Sequence, residues 1–358
     1  MLPPMASNRY NRAMVPAEVV LDRWVRSELR GPKGFEAYLG KLNLDRLASP
    51  SFASFLALIQ NSMNEALRLE GVNASGGVEH PPFHFDYLDV NQDVINAHAF
   101  QYGGFSFIVV TMPLVETLWR ACEELCTAPA TVRALELNPT TLRPDAVHGL
   151  LLWLQLAFVI SHEYTHHIHR HLQEAGSGPA GMWSEFLDDV ARGSIDYQAQ
   201  EIDADGYAAF LVLTHLINGE RRDSALEQLG RPDATADLAD RILLSCFILA
   251  VIGFSCVFPP SDIDRISIYR LTHPPAPVRI KYLVQVVGMW CSFNRPELQE
   301  WLNPVRLGEL RRAATGAIWG TANRGAWNAQ TSFLSTADGD EYDKRLFEAF
   351  NTLRRDLA

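Results

Sequence analysis

His162, Glu163 and His166 stand in a His-Glu-x-x-His run, and these residue types at this spacing can do metal chemistry. On a helix the two histidines lie one turn apart on one face, so both imidazoles can reach a single Zn²⁺. Glu163 beside them can take a proton from water at the metal. That is half a site. The best further donor lies in Gln200-Glu-Ile-Asp-Ala-Asp-Gly206, where Glu201 and Asp205 share a helix face at i, i+4. Glu201 is the expected third ligand. Asp205 is placed to accept the spare N–H of a ligating imidazole and fix its tautomer, while Asp203 points elsewhere. Extending the motif with a glycine and a third histidine fails, because those positions hold His169 and Leu172. His169 sits two turns from His162, roughly 10 Å along a straight helix, too far to close on the same ion. His167, His169 and His171 are therefore expected at a solvated helix end.

The elements that must position these groups are legible in outline. Pro144-Asp145 opens a helix whose apolar run, Leu150 to Ile160, is too long for a typical strand and leads straight into the histidine motif. That helix should be central and buried, ending near Gly176-Ser-Gly-Pro-Ala-Gly181. Ser194 to Asn218 carries the acidic ligand segment on a second helix, and Asp237 to Phe258 reads as a third. Ile242 to Phe258 within it has no charge, but it falls short of the roughly 20 residues of a membrane span, so a buried core helix is expected. Ile95 to Thr111 reads as two short strands about Gly103-Gly104, and Pro113 to Cys126 as a helix. Residues 16–70 look largely helical, broken at Gly31-Pro32 and Ser49-Pro50. Gly71 to Pro82 is the expected loop or boundary, and the tail from about Glu341 to Leu357 is amphipathic.

The 358 residues divide on this reading into a helical N-terminal region, 1–75, a catalytic region, 76–290, and a helical C-terminal region, 291–358. The fold class is mostly α with a small β-sheet, α+β. Net charge is −11, with no basic stripe of the kind that phosphate backbones need, so nucleic acid is excluded as a partner. Five cysteines, Cys122, Cys126, Cys246, Cys256 and Cys291, contain no Cys-x-x-Cys pair, which argues against a thiolate metal site or disulfide framework and for a reducing compartment. The first residues lack the layout of a secretory signal. The expected location is cytoplasmic, with membrane association through 242–258 the less favoured alternative.

HEYTH at 162–166 followed by EIDAD at 201–205 resembles the HtpX and CAAX-prenyl-protease group of zinc metallopeptidases. Thr272-His-Pro-Pro-Ala-Pro-Val-Arg-Ile280 is similar to that group's Thr-His-Pro segment, and Asn96-Ala-His-Ala with Gly103-Gly104 and Ile108-Val-Val-Thr111 is similar to its strand segment. The four motifs keep the group's order over roughly residues 90–285. The resemblance implies a zincin-like core of the gluzincin kind, acting on protein or peptide substrates. It makes His162, His166 and Glu201 zinc ligands, Glu163 the general base and Asp205 the carboxylate behind a ligand. His273 would face the reacting carbonyl as an oxyanion donor, and Arg279 would support the site through acidic neighbours. Asn96, Ala97, His98 and Ala99 would form an edge strand to which an extended substrate adds its backbone. Leu172 to Gln200 departs from the group's membrane members, which carry an apolar hairpin there; here it is polar and glycine-rich.

Three other readings compete. One is a Lit-like host-directed or stress-triggered peptidase cleaving a single intracellular protein. Another is a non-catalytic interaction protein stabilised by zinc, and the third a peptidase anchored through 242–258.

Overall fold

The computed structural model of the chain describes residues 15–29, 38–74, 81–90, 94–137, 143–174, 183–184, 194–219, 221–258, 260, 262–320 and 324–357. The expected features at Gly31-Pro32 and Gly176–Gly181 lie outside the described residues, as does most of the polar stretch 172–200.

The described residues are mostly helical with one small mixed sheet. Helices α1 (Ala17–Trp24) and α2 (Pro50–Ala74) flank the short strand β1 (Tyr38–Lys41). Strands β2 (Phe83–Val90), β3 (Ala97–Tyr102) and β4 (Phe105–Thr111) follow, then α3 (Met112–Thr127), α4 (Pro129–Ala134), α5 (Pro144–Ile168) and α6 (His171–Glu174). The two-residue strand β5 (Trp183–Ser184) precedes α7 (Ile195–Leu213), α8 (Arg221–Gln228), α9 (Ala236–Cys256) and α10 (Ala276–Asn294). Helices α11 (Glu297–Trp301), α12 (Pro304–Ile318), α13 (Arg324–Leu334) and α14 (Ala337–Leu357) complete the chain.

The sheet order is β1-β2-β4-β3-β5, with β2 and β4 parallel and the other pairs antiparallel. Gly103 and Gly104, both at positive φ, make the β3–β4 turn that the sequence predicts. Alternation along the strands divides the sheet faces. Phe85, Tyr87, Ile108 and Val110 point into the main core, whereas Leu88, Phe100, Phe107 and Val109 pack under Val20, Leu21 and Trp24 of α1. Strand β2 is absent from the sequence reading, and α2 runs through Ala74, so residues 71–74 of the expected loop are helical. The edge strand expected at Asn96, Ala97, His98 and Ala99 needs correction. β3 begins at Ala97, and His98 and Ala99 are paired outward with Ser184 and Trp183, so β3 is an interior strand there. Asn96 lies just ahead, exchanging backbone and hydroxyl bonds with Thr111.

Helix α5 is buried along nearly its whole length and packs on the sheet, α3, α7 and α9. Its polar Gln155, in the middle of the apolar run, is fully satisfied: it donates to the Ala250 carbonyl of α9 and accepts from the Cys122 thiol of α3. Helix α9 is apolar on all sides and buried from Ile242 to Cys256, as expected of a core helix. Gly253 has a packing reason, since a Cβ there would meet Leu125 at 2.8 Å and the Gln155 amide at 3.1 Å. By length and composition alone both α5 and α9 could cross a membrane, but their most apolar windows are 67% and 89% buried inside the protein. One hydrophobic core extends from Leu42 to Trp327, shared by the three expected regions 1–75, 76–290 and 291–358. Helix α14 covers the far side of α7 through Tyr342 and Leu346.

Candidate metal centre

Helix α5 carries the histidine motif on its last turns, and α7 lies against it. Ser194 caps α7 by accepting from the Tyr197 N–H, and Gln198 ties the helix to the Ile268 and Leu271 carbonyls. The two helices bring His162, His166 and Glu201 together, all buried. His162 Nε2 lies 3.0 Å from His166 Nε2 and 3.2 Å from Glu201 Oε2, and His166 Nε2 lies 3.6 Å from Glu201 Oε1. Ligand atoms of a tetrahedral zinc site, at about 2.0–2.1 Å from the ion, are separated by roughly 3.3 Å. The observed spacings bracket that value, so the donor set fits a small tetrahedral cation.

The imidazoles are oriented from behind. His162 Nδ1 lies 2.9 Å from Asp205 Oδ1; the carboxylate accepts, so Nδ1 carries a proton and Nε2 is the nitrogen that would give up its own proton to a cation. Asp205 is clamped in turn by Arg279, which donates from Nε at 2.8 Å and from Nη2 at 2.7 Å. Glu163, next to His162 on α5, is fully buried. His273 Nε2 is 3.4 Å from Glu201 Oε2, and its Nδ1 is 2.8 Å from the Thr272 hydroxyl. Asp205, Arg279 and His273 thus line up behind the three donors, with Glu163 adjoining His162 in the chain. Ala99, from the segment expected to bind substrate, packs beside it against Leu172 of α6.

Electrostatics follow from burial set against charge. Burial disfavours a charged His162, but Glu201 and Asp205 outweigh it and hold the imidazole well above its usual range. His166 is pushed well below by burial and by the neighbouring imidazoles. Burial alone would raise Glu201 and Asp205. His273 and His162 prevail at Glu201, and Arg279 and His162 at Asp205, so both carboxyls sit below their ordinary values. His273 is lowered by burial to about 4 and is neutral near pH 7.

The other three histidines are not a solvated helix end. His167 is buried and donates from Nε2 to the Phe107 carbonyl of β4 at 2.9 Å, pinning α5 to the sheet. Arg170, at φ 61°, ends the helix in the left-handed region and turns the chain so that His171 folds back to 2.9 Å from His166 Nδ1. His169 and His171 both face Asp203 of α7, which also receives Arg354 of α14 at 2.7 Å. Asp203 does point away from the donor trio, toward the end of α5. Sequence reasoning missed His171, Asp203 and Arg354. Five histidines within ten residues were a signal, but helical periodicity cannot foresee a left-handed residue that reverses the chain.

The model of peptidase family M48 matches residues 60–287, nearly two thirds of the chain. The chain belongs to that family and is therefore a metallopeptidase, an enzyme acting on protein or peptide substrates. No curated protein and no solved structure matches it. Family membership leaves the non-catalytic reading without support.

Proposed function

We propose that this chain is a zinc-dependent metalloendopeptidase of the HtpX and CAAX-prenyl-protease kind. His162, His166 and Glu201 hold the ion, and Glu163 is the general base. The observation that carries the reading is the convergence of three buried donor side chains from two helices, the two imidazole nitrogens 3.0 Å apart and the two Glu201 carboxylate oxygens 3.2 and 3.6 Å from them. Bound there, zinc would acidify a water toward neutral pH and polarise the scissile carbonyl. Glu163 accepts the proton of the attacking water and then delivers it to the leaving amine, acting first as base and then as acid. His273 suits an oxyanion donor: the ring is neutral near pH 7, and with the Thr272 hydroxyl donating to Nδ1 its proton would stand on Nε2. Arg279 is a positioning residue, acting through Asp205 on His162.

Residues 76–290 carry the chemistry on this reading, and the described parts of 1–75 and 291–358 contribute side chains to the same core. With α5 and α9 mostly buried inside the protein, we further propose a cytoplasmic protein that needs no membrane anchor. The decisive experiment compares Glu163→Gln with the wild type. The variant should retain stoichiometric zinc by elemental analysis and lose hydrolysis of an unfolded protein substrate; retained proteolysis would overturn the mechanism.

A further inference from the structure

The two histidines of the motif are supported unequally. Behind His162 stand one carboxylate and one arginine, Asp205 and Arg279. Behind His166 stands His171, then Asp203, then Arg354 from the last turn of α14. We propose that His171, Asp203 and Arg354 form a positioning relay that sets the orientation and tautomer of His166, so that the C-terminal helix tunes the affinity of the metal centre. The proposal rests on His166 being a metal ligand.

The direction of each hydrogen bond follows from that premise. A cation on His166 Nε2 requires the ring's proton on Nδ1, which faces His171 Nδ1 at 2.9 Å. His171 Nδ1 must then accept, which places the His171 proton on Nε2. That nitrogen faces Asp203 Oδ2 at 3.4 Å. His169 Nδ1 donates to the same oxygen, and the Arg354 guanidinium forms an ion pair with Oδ1, its Nε at 2.7 Å. On that premise the His166 Nδ1–H points at His171 and the His171 Nε2–H at Asp203, which keeps the His166 Nε2 lone pair for the cation. The left-handed Arg170 makes the relay feasible by returning His171 to a residue one and a half turns earlier in the helix.

His169, His171 and Asp203 are themselves close enough to hold a cation. Two observations favour the relay. Arg354 already supplies positive charge to Asp203, and one of the two His171 ring nitrogens is committed to His166.

The test uses the full-length protein stripped of metal, with zinc affinity measured by competition against a chromophoric chelator and the melting temperature of the stripped protein measured alongside. Wild type should bind one zinc. His171→Phe, which keeps the ring shape without an acceptor, should bind zinc 10–100-fold more weakly. His171→Asn, whose amide oxygen can still accept from His166, should recover to within about threefold of wild type. Arg354 is 44% exposed along its side chain, so Arg354→Gln should fold normally, melt like the stripped wild type and still bind zinc three- to tenfold more weakly. Wild-type affinity in both His171→Phe and Arg354→Gln overturns the relay, and if His171→Phe does not fold, Arg354→Gln decides alone. Two zinc ions in the wild type and one in His171→Phe overturns it in favour of a second cation site. A wild type that binds no zinc overturns the metal-ligand reading itself, a result distinct from the others.

Discussion

Replacing Arg279 with methionine removes the guanidinium that clamps Asp205, two hydrogen bonds of 2.8 and 2.7 Å to a carboxylate that is 3% exposed. Arg279 is itself only 8% exposed, so solvent screens the pair little. Removing one partner of a buried, hydrogen-bonded ion pair costs about 3–5 kcal/mol, because the remaining charge stays desolvated. Unfolding entropy of about 2.1 cal/mol/K per residue over 358 residues amounts to roughly 0.75 kcal/mol/K. The expected loss in melting temperature is therefore about 4–7 °C, measured on metal-stripped protein so that metal loss does not contribute. Adding Asp205→Asn to Arg279→Met removes the stranded charge while keeping an acceptor for His162, and should recover about half of the loss. Melting of Arg279→Met within about 1 °C of wild type would refute the reasoning, as would a double variant no more stable than the single one.

Elemental analysis should find no bound zinc in Glu201→Ala or His162→Ala, and equal content in Glu201→Ala and wild type would remove Glu201 as a ligand. Gly253→Val should cost about 1–3 kcal/mol in a denaturant titration, because the new side chain drives α9 off Leu125 and Gln155. The five buried cysteines should resist alkylation in the native protein at pH 8 and react fully in denaturant. Burial raises the Cys246 thiol to about 12 and the Cys291 thiol to about 11, so the thiolate is scarce as well as inaccessible. Rapid labelling of native Cys246, seen by mass spectrometry, would contradict the core packing.

The histidine motif, its helix and the acidic ligand segment were legible because each is local. Periodicity of 3.6 puts His162 over His166 and Glu201 over Asp205 whatever the rest of the chain does. An uncharged run such as Ile242 to Cys256 has few options besides a core or a membrane, and the structure buries it in a core. Strand β2 was not legible. Its Phe83–Val90 segment interleaves aromatics with His84, Asp86 and Asp89, and it becomes a strand by pairing directly and in parallel with β4, although β3 separates the two in sequence. Asp86 is tolerable in that buried position because Lys41 and Gln60, distant in sequence, meet it there beside its neighbours His84 and Tyr87.

The sequence by itself determined which groups could hold a cation and on which helix faces they lie, since helix geometry needs no tertiary partner. Only the tertiary structure decided that the two faces meet, that Arg279 answers Asp205 and that Arg354 answers Asp203, pairs 74 and 151 residues apart in the chain. It also decided the fate of His167 and His171. A histidine-rich helix end is solvated when it ends at the surface. It becomes buried when a left-handed residue turns the chain back and a neighbouring helix supplies a carboxylate, and nothing in the local spacing distinguishes the two.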